Sequence, residues 1–448
     1  MITEIKAKQI VETAVRYARR KVDAIEVTIS GSNIATSRFA NNGMTQNQAP
    51  ITEGIAVRVI LNGRQARLSG ESLSEASVRA LIDNAIIAVK LLEKDDGLEP
   101  IVANKGRKKA AVSRFDRATA KMSALDRARE VQKVIRVAVA KKLIASGVYA
   151  SGETFRAIGN SAGLFVYHRE TSAECSITMT APDSSGWVKA HSVNAADINV
   201  RALAESAAQK ATLSANPQEV DPGRYTVVLE PAAVLDLLGA LWYSFAGTSH
   251  VDKLSALRGK LDKKVFGGNI SISDDVTHED QCGQPFDGEG MPRQTLSLVE
   301  EGVVASFVYG RRSAASMGVL ATGHGLEQPS AMGDYPVNIV IAGGETSVEE
   351  MIRSVDRGIL VTRVWYVREV DPTTLLITGL TQDGTFLIED GVVKCGVKNM
   401  RFNVSLIEML NNVLLLSPAV RTAGEEALPA VVPAMKVSGF NFTERTLY

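Results

Sequence analysis

The feature that most constrains this chain is a pair of breaks close together, Asn216-Pro217 and Asp221-Pro222-Gly223. Proline lacks a backbone N–H, fixes its own φ and pushes the residue before it out of the α region. Neither a helix nor a central strand runs through such positions, so the 448 residues divide here. Upstream, residues 1–104 read as an N-terminal α+β domain, and 105–220 as a central helix and β-hairpin segment that completes it. Downstream, 221–448 reads as a C-terminal, mostly-β domain with one long helix near its start. The length allows two or three domains and buries large cores easily.

Periodicity fills in the two halves. Residues 4–20 place Ile5, Ile10, Val11, Ala14 and Ala18 on one helical stripe. Alternating or β-branched runs follow at 24–30, 34–38 and 54–61, with turns at Asn41-Asn42-Gly43 and Asn62-Gly63. Asn-Gly is a strong hairpin signal because both central residues of a type I′ turn take positive φ. Ser74 is expected to cap a helix over 75–92. Another helix is expected over 123–142, with Leu125, Ala128, Val131, Ile135 and Val139 on one face. Residues 147–185 alternate as strands about the turn Asn160-Ser-Ala-Gly163, and a helix over 197–214 leads to the break. Past it come short strands, beginning with Tyr225–Leu229, and an apolar helix over Ala232–Ser244. The fold class is α+β, with antiparallel strands flanked by helices in the first half.

Composition excludes several function classes. Fifty Lys and Arg balance fifty Asp and Glu, so no global field recommends nucleic acid or an anionic membrane as partner. The basic stretch Lys105, Arg107, Lys108, Lys109, Arg114, Arg117 and Lys121 has only Phe115 among it, where a nucleic-acid surface wants interleaved aromatics. It reads as a linker and a solvated helix face. No run approaches the roughly 18 consecutive apolar residues of a membrane span, and the N-terminus carries no secretory signal pattern. Cys175, Cys282 and Cys395 are odd in number and far apart, which fits a reducing cytoplasm rather than a disulfide framework.

Local motifs are weak. His278-Glu279-Asp-Gln-Cys282 gathers three residue types that ligate zinc. It lies in a polar segment after a short strand at 269–273, not on a helix that would fix ligand geometry. The other histidines, His168, His191, His250 and His324, form no H-E-x-x-H and no close pair. There is no G-x-S-x-G, and neither Gly267-Gly268 nor Gly343-Gly344 sits in a phosphate-binding context. Gly323-His-Gly325 reads as a turn. From the residues alone no self-contained active site emerges.

Several segments, in order, resemble the TldD/PmbA metallopeptidase family. They are the block Phe286-Asp-Gly-Glu-Gly-Met-Pro-Arg293 and its continuation to Tyr309, Gly343–Thr362, and Phe386–Lys394 with Val397–Asn403. Upstream, Phe39-Ala-Asn-Asn42, Gly54–Arg58 and Asn160–Leu164 are similar to first-domain signatures. The resemblance implies that the catalytic branch carries H-E-x-x-x-H on the helix opening its last domain, and a cysteine near its C-terminus. In this chain those positions hold Leu238, Gly239, Tyr243 and Ala423.

The chain is therefore similar to the PmbA/TldE-like branch, which lacks the zinc ligands. What the resemblance implies is a non-catalytic subunit, with no metal of its own, that partners a zinc-bearing TldD-type subunit in a cytoplasmic heterodimer. That complex would degrade or mature peptides and unfolded segments bound along a sheet edge; a homodimer is a further possibility. Two alternatives stay open: an autonomous metallopeptidase with a relocated site at His278, Glu279 and Cys282, and a regulatory binding protein of the gyrase-modulator type.

Overall fold

The computed structural model describes residues 1–103, 113–281 and 283–446. Lys105, Arg107, Lys108, Lys109 and Cys282, named above, lie outside the described residues. The fold is α+β. Its first half is one antiparallel sheet built from β1 (Ala24–Ala40), β2 (Gly43–Gln48), β3 (Thr52–Leu61), β4 (Arg64–Gly70), β5 (Ile144–Asn160), β6 (Phe165–Ala181) and β7 (Ser184–Ser192). The strands lie in the order β4-β3-β1-β5-β6-β7, with β2 also paired to β1.

The two Asn-containing turns form as the sequence suggests. Asn62 and Gly63 take φ of 51° and 73° between β3 and β4, and Asn41 and Asn42 take 49° and 58° between β1 and β2. Strand β1 is one continuous element where two runs were expected. Gly31-Ser-Asn33 stays in register with β5 throughout and, through Ser32, with β3. A β-carbon at Gly31 would collide with the Phe155 ring and approach Thr52 O.

Helices α1 (Glu4–Ala18) and α2 (Glu75–Leu91) cover one face of this sheet. Ala7, Val11, Ala14 and Ala18 meet Val78, Ile82 and Val89 over Ile25, Val27, Val57 and Val59. Ser74 caps α2 by accepting the Ser77 N–H, as expected. After the short helix α3 (Arg117–Ala120), α4 (Ala124–Ala140) and α5 (Val200–Leu213) pack against β5–β7 through Val131, Val134, Ala138, Ala204 and Ala208.

The buried stripe of α4 differs from expectation. Leu125 and Val139 are each 60% exposed, while Arg127, Val131, Val134 and Ala138 face inward. Arg127 holds a core position because its guanidinium donates to Ser37 Oγ (3.2 Å), Met122 O (2.9 Å) and Asn47 Oδ1 (3.2 Å). Hydrophobicity alone assigns such a residue to solvent.

The second half starts on β8 (Gly223–Leu229). This strand runs parallel to Arg357–Val361 and antiparallel to Met435–Arg445 in a nine-stranded sheet. A six-stranded sheet contains Ile272–Asp274, where a strand over 269–273 was expected, and the pair Val420–Thr422 and Ala430–Val432. One large core joins the two sheets.

The long helix expected over Ala232–Ser244 is instead two elements. Helix α6 (Pro231–Leu237) opens with Pro231 at its first turn, and a 3-10 helix follows over Leu238–Phe245. The tighter winding brings residues three apart into line, and Leu238, Leu241 and Ser244 are all buried. A short helix, α7 (Gly247–Val251), completes the connection. Among the described residues no helix is long and apolar enough to cross a membrane.

Candidate functional site

Helix α6 packs against the strands Val420–Thr422 and Ala430–Val432, and the segment holding Leu238, Gly239 and Tyr243 continues directly from it. The joint is the Asp236 carboxylate. It accepts the backbone N–H groups of Glu425 (2.8 Å), Glu426 (3.2 Å) and Ala427 (3.0 Å). Burial raises the pKa of Asp236 above the usual carboxylate range, and the three N–H bonds pull against that shift. Gly424 lies so close to the carboxylate that any β-carbon there would overlap Asp236 Oδ1.

Beside this joint is a cavity of about 370 Å³. Gly239, Trp242, Tyr335, Val337 and Leu428 line it, and Arg368 pairs with Glu426 (2.8 Å) at its rim. The four positions that the resemblance sets at the family's metal site supply no imidazole, carboxylate or thiolate. Leu238 is fully buried in the core, Gly239 has no side chain, and Ala423 is buried. Tyr243 is half-buried, and its hydroxyl is held above the usual phenol range by burial first, then by Asp252 and Asp334. This donor set does not fit a zinc ion.

The edge strand β7 packs against the strand and loop around Ala423. His191 accepts from Arg421 Nη2 at 3.0 Å and lies 3.0 Å from Ser172 Oγ. Burial, then the charges of Arg421 and Lys189, press its pKa down to about 3, so the ring stays neutral. Lys189 Nζ donates to Gly424 O (3.1 Å), and Arg363 stacks on Trp187 while pairing with Glu425 (3.3 Å) and Asp383. Sequence reasoning passed over Asp236, Lys189, His191 and Arg421 as parts of one site. The one available signal was an aspartate inside an apolar helix.

The His278 segment is a pinned loop. Arg114 donates to the carbonyls of Val276 (3.0 Å), His278 (2.8 Å) and Glu279 (2.8 Å). His278 Nδ1 accepts the Asp280 N–H at 3.2 Å, and Glu279 is exposed. Among the described residues no three His, Cys, Asp or Glu side chains converge as a metal site. His250 Nε2 bonds Ser244 O (2.9 Å) and its ring packs on Phe307, while His324 is fully buried 3.2 Å from Asp274. Both are structural.

The block Phe286–Arg293 docks on the helix-free face of the first sheet. Strand alternation puts Glu26, Arg58, Arg67 and Arg156 on that face. Arg58 lies 3.5 Å and Arg311 3.8 Å from Glu289, and Glu327 bridges Arg67 and Arg156. Burial raises the Glu289 pKa to about 7; Arg311 and Arg58 act against the shift, and Asp287 and Glu26 add to it. Glu26 is also buried, 3.7 Å from Arg67, and burial raises it too.

Comparison with known proteins agrees along the chain. Residues 25–89, 111–215 and 222–444 match, in order, domain 1, the central domain and the C-terminal domain described for PmbA/TldA metallopeptidases. A metalloprotease PmbA homolog of Haemophilus influenzae is 22% identical over 94% of this chain and 91% of its own length. A metalloprotease of Methanothermobacter thermautotrophicus is 26% identical over 59% of this chain, the match spanning 60% of that protein. Matches to two TldD homologs span only 46% of those proteins. The structure of TldE from Thermococcus kodakarensis superposes with a TM-score of 0.86 over 97% of this chain and 100% of that one, at 22% identity, which is a likeness of fold.

Proposed function

Because the chain belongs to the PmbA/TldD metallopeptidase family, we propose that it is the zinc-free, TldE-like subunit of a cytoplasmic peptidase complex. Its partner is a TldD-type subunit that carries the metal. The observation behind this reading is the pairing of two losses at one place. Leu238, Gly239 and Tyr243 follow Asp236 along the chain and Ala423 immediately precedes the loop that Asp236 holds, yet none supplies a ligand group that fits zinc. Loss of one half leaves room for a substitute from the other; loss of both removes the chelate.

The subunit's part is then to shape the chamber. Strand β7 is an edge of the first sheet, and its Lys189 and His191 side chains contact the segment around Ala423. An extended peptide pairing with a sheet edge is held by main-chain bonds, which tolerates varied side chains. Lys189, Arg363 and Arg421 give that contact positive charge, and each is already engaged by an acceptor of this chain.

The test is to purify the chain with and without a TldD-type metallopeptidase and to measure zinc per chain and hydrolysis of unfolded peptides. Co-purification at equal stoichiometry, with zinc and activity only when the partner is present, is the expected result. Stoichiometric zinc and hydrolysis from this chain by itself would sink the proposal.

A further inference from the structure

A second cavity, of about 540 Å³, opens on the first sheet far in sequence from the Ala423 loop. It lies between the C-terminal half of α1 and the turn joining β5 to β6. Its floor is apolar, made by Val11, Val15, Val22, Leu164 and Phe165. Arg16, Arg19 and Arg20 rim it, and among the described residues none of the three has an ion pair. Two acids, Glu12 and Asp23, also line it. The Asp23 carboxylate accepts the Asn62 N–H at 2.6 Å, and Glu12 lies 4.0 Å from Lys8.

The turn side of the cavity is rigid. Asn160 Oδ1 accepts the N–H groups of Ala162 (3.0 Å) and Leu164 (3.2 Å), while its Nδ2 donates to Val102 O (2.8 Å). Cations near a helix C-terminus are favoured by the helix dipole. That accounts for basic residues at the end of α1 but not for an apolar floor enclosed between them. Three guanidinium groups on one rim raise the local potential, and an anion there relieves their mutual repulsion. Guanidinium forks match phosphate oxygens in pairs, and they do so better than lysine.

We propose that this cavity binds a phosphorylated small molecule of nucleotide type, its phosphates on Arg16, Arg19 and Arg20 and its apolar or aromatic body on the Val15, Leu164 and Phe165 floor. Leu164 extends the consequence. Its side chain fills the space that a β-carbon at Gly290 would need, so the floor of the cavity touches the Phe286–Arg293 block. Occupancy thus bears on the seam between the two halves of the chain.

The test titrates the full chain calorimetrically with ADP, pyrophosphate and adenosine at low and high salt. ADP is expected to bind most tightly, weakening as salt rises, with adenosine weakest. The variants Arg16→Gln and Arg19→Gln change exposed side chains, so their melting temperatures should match the parent while ADP affinity falls about tenfold for each. ADP binding that ignores both substitutions, or no salt-sensitive binding of ADP or pyrophosphate, overturns the proposal.

Discussion

Asp236 Oδ2 lies 2.8 Å from the backbone nitrogen of Glu425, and through this bond a helix side chain fixes the path of a loop 189 residues away. Two further N–H groups converge on Oδ1 of the same carboxylate. Replacing Asp236 by Ala leaves three partly buried donors without this acceptor. At about 1 kcal/mol each, the expected loss is about 3 kcal/mol. Urea unfolding measures it, and hydrogen exchange at Glu425–Ala427 should quicken. Gly424→Ala is expected to act in the same direction, since its β-carbon displaces the carboxylate.

Glu289 gives the seam between the two halves a pH dependence. Its folded pKa, about 7, lies above the unfolded value of 4.5, so the folded state holds the proton more tightly. Stability from this group is complete below pH 4.5 and is lost as pH rises through about 7. Glu289→Gln mimics the protonated form. It is expected to flatten the fall in melting temperature across that window and to exceed the parent above it by on the order of 1–3 kcal/mol. Parallel stability curves for the two proteins would refute the assignment.

Leu238 serves packing. It is fully buried in the largest core, and Leu238→Ala should cost about 2–5 kcal/mol. Leu238→His is expected to be similarly destabilising and to bind no zinc, because the side chain points into the core. Zinc content and denaturant midpoint together check both statements.

Arg114 holds the His278 loop by its backbone. Arg114→Gln removes charge-assisted donors from the carbonyls of Val276, His278 and Glu279. Exchange in residues 276–281 should accelerate, with a stability loss of about 1–3 kcal/mol. His278→Ala removes only a half-buried ring that accepts the Asp280 N–H, and should change stability by under about 0.5 kcal/mol. A fall in bound metal on the second substitution would revive the relocated site.

What was legible in the sequence were the elements whose signals are local. The Asn-Gly turn, the Ser74 cap and the long hairpin about Asn160–Gly163 depend on a few adjacent residues, and each formed where read. Where tertiary contacts decide, the reading missed. The inward face of α4 turns on Arg127, whose partners Ser37 and Asn47 are some 90 and 80 positions away. The apolar helix changes winding at Leu238, inside the largest core, where no local residue marks a stop. Nothing in the local sequence announced that Asp236 ties its helix to the backbone of residues 425–427.

The change from α to 3-10 winding after Leu237 also alters the backbone as a ruler. An α-helix advances about 7.5 Å over five residues, and a 3-10 helix about 10 Å. Positions 238 and 243 stand at the ends of that stretched interval. Side chains exchanged one for one at these two places would therefore be held too far apart for the spacing an α-helix sets. A chelate spaced for an α-helix would take rewinding here as well as replacement.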